Sequence, residues 1–475
     1  MTLSFLAFLL VFVLVGLASV TQARNSRHDY YLADGRVKPW LVGLSAVATN
    51  NSGYMFIGVI GYTYVTGFPA FWLMAGWIAG DFLGSMFVHA RLREATRRTD
   101  AVSYAGVLSK WYGPKNNALQ RTIGAISLLF LLTYASAQLV AGSKALHVLF
   151  GWPLWAGAVI GAVIVVLYCV AGGIRASIWT DAAQSMVMVL AMALLLVVAV
   201  GELGGPQAAL GAMSQIEGYT DWFPSDLPVP GLAGYVLFAV GWGFAGLSVI
   251  GQPHVMVRFM ALDGDSNMRT ARAWYYLWFV AFYFMSTCVG LLSRIYLPES
   301  AAFDAELALP TMALELLPPV LVGMILAGIF AATMSTADSL VLSCSAALTH
   351  DLLPRRVERR LLIKGATVAI TAVALALALS NNQSVFALVI LSWSGLASAF
   401  APLLIALSLG LRPSQKLSLT ALAIGIGTAL VWRYLGWEQF VYEGLPGILA
   451  GLAVLLPLAR RSSAPTAPEA APVST

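Results

Sequence analysis

Long apolar runs separated by short polar connections dominate the chain. Thirteen of these runs are long enough to cross a bilayer, since a membrane helix needs about 20 apolar residues. They lie near 3–21, 40–66, 68–90, 119–149, 153–171, 178–201, 231–251, 272–296, 318–349, 361–380, 385–409, 415–433 and 443–459. Each run is continuously apolar, whereas the strands of a membrane β-barrel alternate apolar and polar residues. The pattern predicts an all-α integral membrane protein with about thirteen transmembrane helices.

The composition excludes the soluble classes of protein. Of the 475 residues, 59% are hydrophobic and only 10% are charged, whereas a soluble domain is about one quarter charged. The mean hydropathy is +0.81. Too few polar residues remain to cover a water-exposed surface, so we exclude a soluble enzyme, a disordered chain and a nucleic-acid-binding domain.

The basic residues are segregated to one side of the predicted membrane. Of the 27 Lys and Arg residues, 24 lie in 22–39, 91–121, 172–177, 252–272, 350–364, 410–416 and the tail after 459, and these segments share one side if there are thirteen spans. The opposite connections, such as 202–226 and 299–315, are acidic. Because basic loops stay in the cytoplasm, we expect an outside N-terminus and a cytoplasmic C-terminus. The basic balance then reflects topology and implies no nucleic-acid partner.

Two spans contain breaks in the apolar pattern. In the second span, Thr49–Gly53 place four polar side chains and a glycine at bilayer depth. In the seventh span, glycines between Gly241 and Gly251 precede Gln252-Pro253. Each break indicates either a discontinuous helix whose free carbonyls face a cavity or tight packing between helices. The two spans lie five apart, which favours the first interpretation.

This spacing predicts two inverted repeats of five spans, each beginning with a discontinuous helix. Because the first repeat has an odd number of spans, the second repeat starts on the opposite side of the membrane and has the inverted orientation. We interpret the first span as a retained helix and not a signal peptide, because its basic residues follow the apolar run. The predicted organisation is a peripheral helix with the first cytoplasmic loop (1–39), repeat one (40–203), repeat two (204–410), two peripheral helices (411–461) and a disordered tail (462–475).

A third polar cluster lies in the ninth span. Ser335 and Ser339 share one helix face, and Thr336 and Asp338 lie between them. Hydroxyl and carbonyl oxygens suit a small monovalent cation, although Ser and Thr in membrane helices also join helices by hydrogen bonds. An intramembrane carboxylate such as Asp338 is a functional candidate. Asp181 is a second functional candidate, with the alternative that its side chain extends to water at the cytoplasmic interface.

Other polar features carry no enzyme chemistry. The three cysteines lie far apart within apolar runs and form neither a disulfide framework nor a metal-ligand spacing. The sequence contains no P-loop and no hydrolase constellation. Asp81 lies among Gly76, Gly80 and Gly84, whose spacing predicts close helix packing. We therefore expect that the protein is not an enzyme.

Several motifs together resemble the sodium:solute symporter family, and most closely its sodium/proline symporter branch. The resemblance covers about residues 29–410. It rests on Asp29-Tyr30-Tyr31-Leu32 with Gly35-Arg36, on Leu44–Gly53, on Gly172-Gly173 with Trp179-Thr180-Asp181, on Gly251-Gln252-Pro253-His254 through Arg258–Ala261, and on Met334-Ser335-Thr336 through Asp351-Leu352.

The resemblance implies a LeuT-like fold with a sodium ion between the first and eighth core helices. The implied Na⁺ ligands are the backbone carbonyls of Ala48, Asn51 and Ala332 and the hydroxyls of Ser335 and Thr336. Bound sodium would stabilise the outward-open state and order the broken helix that completes the solute pocket.

The resemblance also implies a solute pocket and, in some relatives, a second cation site. The implied solute-binding residues are Ser52, Gly53, Tyr54, Tyr134, Trp242 and Gln252. The candidates for a second cation site or for coupling are Asp181, Asp338, Ser339 and Asn50. Two features depart from the proline branch: Asn50 replaces an aspartate, and the stretch from Trp242 to Gln252 is about two residues longer.

Together these observations predict a sodium-coupled symporter in the cell inner (plasma) membrane. It would import a small polar organic solute by alternating access and work as a monomer in the lipid bilayer. Proline or a related amino acid is the leading candidate, and a sugar, a carboxylate or an osmolyte stays open. A proton-coupled symporter supported by Asp181 and Asp338, a solute-sensing receptor module and a channel are the alternatives.

Overall fold

A computed structural model describes residues 1–21, 26–113, 116–264, 267–297, 303–353, 357, 359–380 and 384–461. The predicted disordered tail, 462–475, lies outside the described residues. The described chain is almost entirely helical, as the continuous apolar runs predict.

The first half of the chain begins with the peripheral helix and contains the first break. Its helices are α1 (Thr2–Val20), α2 (Arg27–Leu32), α3 (Pro39–Phe56), α4 (Gly58–Thr66), α5 (Ala70–Thr99), α6 (Tyr104–Lys110), α7 (Asn117–Phe150), α8 (Leu154–Glu202) and α9 (Pro206–Met213).

The second half contains the second break and the last peripheral helices. Its helices are α10 (Gly231–Leu247), α11 (Pro253–Met260), α12 (Met268–Tyr296), α13 (Ala308–Leu316), α14 (Pro319–Ala346), α15 (Arg360–Ser380), α16 (Val385–Ser408), α17 (Gln415–Tyr434) and α18 (Gly444–Leu458). A π-helical turn, Ala347–Leu352, extends α14. Two short antiparallel strands, β1 (Leu411–Arg412) and β2 (Arg460–Arg461), join the segments that follow α16 and α18.

Ten of the described helices are long and apolar enough to cross a membrane. Their burial separates the centre of the bundle from its edge. In the most apolar window of each helix, 83% of the residues are buried in α14 and 89% in α16, against 22% in α1 and 28% in α17. Helix α14 packs on α3, α7 and α8, so the polar cluster of the ninth predicted span lies in the interior.

The helix break predicted for the second span is present. Ser52 has φ 21° and ψ −179°, which interrupts α3 within the predicted stretch Thr49–Gly53. A second irregular residue, Ile57, separates α3 from α4. A positive φ is strained for a side-chain-bearing residue, and Ser52 keeps it because the surrounding helices bind the freed backbone groups.

The break in the seventh span lies later than the glycine pattern suggested. Helix α10 continues through Gly241–Gly246, and the chain leaves the helix only at the 3₁₀ turn Ser248–Gly251 and at Gln252. The glycines instead allow α10 to contact α5, since a Cβ on Gly80 or Gly246 would collide with the backbone of the facing helix. The predicted packing role of the glycines beside Asp81 is thereby confirmed.

Several segments predicted as cytoplasmic loops contain helical residues. Residues 172–177 adjoin an interruption of α8 at Gly173, where φ is 58° and ψ −149°, so a tight turn there separates the two predicted spans 153–171 and 178–201. Glycine is required at this turn because a Cβ would lie 2.6 Å from the Tyr30 carbonyl oxygen. Within 252–272, residues Pro253–Met260 form α11, and Arg258 is fully buried. Assigning Arg258 to a basic loop was wrong, because its charge is neutralised inside the bundle.

Candidate functional site

The break in α3 frees backbone groups that are bound by a side chain of α7 and by a side chain of α3 itself. The Gly53 N–H donates to Gln138 Oε1 at 2.9 Å, and the Tyr54 N–H donates to Ser52 Oγ at 3.1 Å. A buried backbone group without a partner is costly, so these side chains stabilise the irregular turn. Gln138 lies four residues after Tyr134 on α7, and this i,i+4 spacing was the sequence signal that we did not use.

The hydroxyls of α14 bind carbonyls on the turn of α3 that precedes the break. Ser335 Oγ donates to the Ala48 carbonyl at 3.3 Å, and Thr336 Oγ1 donates to the Thr49 carbonyl at 3.0 Å. Ser335 Oγ also lies 3.2 Å from the Ala332 carbonyl. These side chains are fully buried. The structure thus brings together backbone carbonyls and hydroxyls from two helices.

Four of the five predicted sodium ligands lie at this junction, and the fifth, the backbone carbonyl of Asn51, belongs to the same part of α3 beside the break. Asn51 is buried, and its side-chain amide donates to the Val47 carbonyl at 2.8 Å, a bond that does not involve the backbone carbonyl predicted as the ligand. That bond joins Asn51 to its own helix and not to α14. Thr336 contacts the Thr49 carbonyl, one residue after the predicted Ala48.

The oxygen donors at the junction fit a small hard cation. Carbonyl and hydroxyl oxygens are ligands that hard metal ions prefer, and freed carbonyls of broken helices coordinate sodium in transporters of this architecture. Ala48, Asn51, Ala332, Ser335 and Thr336 are the residues that could hold Na⁺ here. In the structure the hydrogen bonds of the two hydroxyls stabilise the same junction.

Part of the predicted solute site gathers around Ser52. Tyr134 OH donates to Ser52 Oγ at 3.0 Å. The Tyr134 ring lies edge-on to His254 and to Trp393, with centroids 5.4 and 6.1 Å away. Gln252 Nε2 donates to the Trp393 carbonyl at 2.9 Å. Trp393 therefore connects the breaks of both discontinuous helices, although nothing in its apolar span marked it.

A second group of aromatic rings contains Tyr54 and Trp242. Phe386, at the start of α16, lies between Tyr54 (centroids 5.3 Å apart) and Tyr62 (5.2 Å, stacked). Tyr62 in turn meets Trp242 edge-on at 5.8 Å. A cavity of about 260 Å³ lies beside Tyr62, Trp242 and Phe386 and is also lined by Tyr442. The predicted solute residues thus form two neighbouring groups, one around Ser52 and Tyr134 and one that contains Tyr54 and Trp242. Phe386, which the sequence analysis missed, contacts Tyr54 and Tyr62 and so connects the second group.

The candidates for a second cation site divide between two networks. Asp181 and Asp338 are both buried. Ser45 Oγ donates to Asp181 Oδ2 at 2.6 Å, and Ser339 Oγ lies 3.0 Å from Asp338 Oδ1. Arg258, to which the sequence analysis gave a place in a motif but no role in a site, lies 3.3 Å from Asp181 Oδ2 and also donates to Ser339 Oγ.

Asn50 belongs to the other network. Its amide donates to Tyr275 OH at 2.5 Å, and that hydroxyl donates to Asp81 Oδ2 at 2.7 Å. The chain of bonds joins α3 to α12 and α5. Asn50 therefore points away from Asp181 and Asp338. Asp81 has a polar role as well as its place among packing glycines.

Comparisons with known proteins extend the similarity over nearly the whole chain. The sequence profile described as the sodium:solute symporter family matches residues 30–412. The chain is 28% identical to a sodium/proline symporter of Escherichia coli, over 98% of this chain and 94% of that relative. It is 27% identical to an osmoregulated proline transporter of Bacillus subtilis, over 90% of this chain and 87% of that relative.

Solved structures show the same fold. A Na⁺-coupled sialic acid symporter in a substrate-bound outward-open state superposes with a TM-score of 0.80 and 18% identity, over 97% of this chain and 99% of that one. The nucleobase-cation-symport-1 family transporter Mhp1 gives 0.59 and 14% identity, over 92% of this chain and 95% of that one. With the profile covering most of its length, the chain belongs to the sodium:solute symporter family.

Proposed function

We propose that the protein is a sodium-coupled symporter that imports proline or a related small amino acid by alternating access. The observation that carries the proposal is the contact of the Ser335 and Thr336 hydroxyls with the Ala48 and Thr49 carbonyls beside the break at Ser52. The names of the relatives, which are proline symporters and transporters, support the choice of solute. The protein is a multi-pass protein of the plasma membrane.

Sodium would act by joining α3 to α14. A cation ligated by Ala48, Asn51, Ala332, Ser335 and Thr336 would replace hydrogen bonds across the junction with stronger ion–oxygen contacts. It thereby holds the turn at Ser52 in one conformation. Because the two bindings are thermodynamically linked, solute must raise the affinity for sodium by the same factor as sodium raises the affinity for solute.

The solute would bind where the two broken helices face each other. Ser52 and Tyr134 supply hydroxyls that can donate to a carboxylate, and the aromatic rings of Tyr54, Phe386 and Trp242 supply apolar surface for a small ring or side chain. A binding site of this kind needs a few oriented polar groups in a largely apolar wall. Ser52 lies four residues beyond Ala48, so ordering by sodium reaches the solute directly.

The proposed topology has thirteen membrane crossings, an outside N-terminus and a cytoplasmic C-terminus. Support comes from the ten long apolar helices, from α3 with α4, and from the shorter apolar stretches Leu154–Leu167 and Gly444–Leu458. The breaks at Ser52 and at Gln252 open the two proposed repeats, 40–203 and 204–410. One chain contains both sites, and we propose that the monomer is the functional unit.

Uptake into proteoliposomes tests this function. The purified protein is reconstituted, and a sodium gradient is imposed together with a panel of labelled solutes: proline, other small amino acids, a sugar, a carboxylate and a betaine. We expect proline or a related amino acid to accumulate only when sodium is higher outside. Accumulation driven by a pH step without sodium would assign proton coupling, passive equilibration would assign a channel, and tight binding without flux would assign a receptor.

A further inference from the structure

Arg258 is a buried cation that the proposed sodium and solute sites do not use. It lies on α11, just after the break at Gln252, and its side chain is fully buried. Its Nη1 donates to the His254 carbonyl at 2.8 Å within the same helix. Its other nitrogens point across the bundle, away from α11.

The guanidinium group lies among oxygens of three other helices. Nη2 donates to Ser177 Oγ at 2.8 Å, approaches Asp181 Oδ2 at 3.3 Å, and also donates to Ser339 Oγ. Nε lies 3.4 Å from Ser45 Oγ. These helices are α8, α14 and α3, so one side chain connects the broken helix to two of its main neighbours.

These oxygens include the groups that the sequence analysis assigned to a second cation. Asp181 and Ser339 bind the guanidinium directly, and Ser177 bonds both to the guanidinium and to Asp338 Oδ1, the latter at 3.0 Å. A metal ion there would compete with the arginine N–H groups for Asp181 Oδ2 and for the Ser177 and Ser339 hydroxyls, although Asp181 Oδ1 makes no hydrogen bond within the described chain. It would also lie beside a fixed positive charge in a low-dielectric interior, where like charges repel strongly.

The charges of the region balance with a single mobile cation. The buried carboxylates of Asp181 and Asp338 contribute two negative charges and the buried guanidinium of Arg258 one positive charge, which leaves a net charge of minus one. Ser339, whose hydroxyl contacts Asp338, also donates to the Ser335 carbonyl at 2.5 Å, so the proposed sodium junction lies one helical turn away. Buried charges must be compensated, and one sodium ion completes the balance.

We propose that Arg258 is a tethered cation that takes the place of a second sodium ion, so that the transporter couples one sodium ion to each solute molecule. The proposal rests on the proposed sodium symport and adds its ion stoichiometry. A purely structural ion pair would give the same contacts, but it would not make the number of bound sodium ions depend on the charge at residue 258.

The test counts sodium ions in charge-matched variants of the full-length protein. Binding of ²²Na⁺ to purified protein gives the number of sites, and the ratio of ²²Na⁺ to labelled proline entering proteoliposomes gives the coupling. We expect about one sodium per protein in the wild type and in Arg258→Lys, which keeps the charge. Arg258→Gln removes the charge and should bind about two, with a steeper sodium dependence of uptake. Adding Asp338→Asn to Arg258→Gln removes one carboxylate, and the count should return to about one by the same balance.

The outcomes separate this inference from the proposed function. Two sodium ions in the wild type, or a count in Arg258→Gln that stays at one, would overturn the inference while sodium-coupled uptake stands. Absence of sodium binding and of sodium-driven uptake in the wild type would instead overturn the proposed function. If Arg258→Gln does not fold, Asp338→Asn alone decides: Arg258 then balances Asp181, so the sodium count should fall well below one, and a count that stays at one would overturn the inference.

Discussion

Glu306 anchors the N-terminal end of α16, and its removal is expected to loosen the wall of the proposed solute site. The carboxylate accepts hydrogen bonds from Ser384 Oγ at 2.6 Å and from the backbone N–H groups of Val385 and Phe386 at 3.1 and 2.9 Å. Lys144 on α7 lies 2.7 Å away. An anion at a helix N-terminus also interacts favourably with the helix dipole.

The structure sets the size of the effect. The Glu306 side chain is 9% exposed and that of Lys144 is 14% exposed, so both charges are largely out of water. Breaking a buried ion pair by removing one partner costs about 3–5 kcal/mol. Lys144 keeps a second partner, Asp304, at 2.8 Å, so we take the lower end for Glu306→Ala. A loss of about 3 kcal/mol corresponds to roughly a hundredfold rise in the population of the open form.

Hydrogen–deuterium exchange measures this opening directly. In Glu306→Ala, the amides at the start of α16 should exchange about a hundredfold faster than in the wild type if they exchange through local opening. The solute KM should rise, because Phe386 contacts Tyr54 and Tyr62, while the sodium requirement stays. Glu315→Ala, an exposed carboxylate on α13, serves as the matched control. Unchanged exchange in Glu306→Ala, or an equal change in Glu315→Ala, would refute the reasoning.

Two further predictions concern hydrogen bonds around the broken helix. Asn50→Asp places a second carboxylate beside Tyr275 OH, which can donate its one hydrogen to only one of the two carboxylates. Solute uptake should therefore fall, and it should recover in part when Asp81→Asn is added. Absence of recovery in the double variant counts against this hydrogen-bond network. Tyr134→Phe removes the 3.0 Å bond to Ser52 and should raise the solute KM up to about tenfold, since such a bond contributes about 0.5–1.5 kcal/mol. An unchanged KM, or a changed sodium dependence at saturating solute, would remove Tyr134 from the solute site.

Sequence reasoning located the broken helix because its signal is local. Polar residues and a glycine at Thr49–Gly53 are costly in lipid, and the non-helical residue Ser52 lies within them. The Ser335 and Thr336 hydroxyls were found for the same reason. Each is a polar group in an otherwise apolar run, and such a group must find a partner inside the bundle.

The contacts that the sequence did not reveal either join residues distant in the chain or involve residue types that are common around them in the sequence. Arg258 lies in a stretch that also contains basic surface residues, so counting charges placed it in a loop, whereas its partners come from helices distant in the chain. Phe386 is one apolar residue among many. Its role follows only from the position of α16 beside Tyr54. The glycines of α10 suggested unwinding, but a glycine serves equally for close packing, and only the facing α5 distinguishes the two.

The sodium dependence of uptake in Thr336→Val tests the central claim most directly. The substitution keeps the side-chain shape and removes the hydroxyl that bonds the Thr49 carbonyl. Losing one oxygen contact to a charged group costs about 1.5–3 kcal/mol, so the sodium concentration for half-maximal proline uptake should rise roughly tenfold to a hundredfold. Thr333→Val, on the same buried helix but with its hydroxyl bonded to the Phe330 carbonyl, should leave it nearly unchanged. An unchanged sodium requirement in Thr336→Val, or an equal shift in Thr333→Val, would contradict a sodium site between α3 and α14.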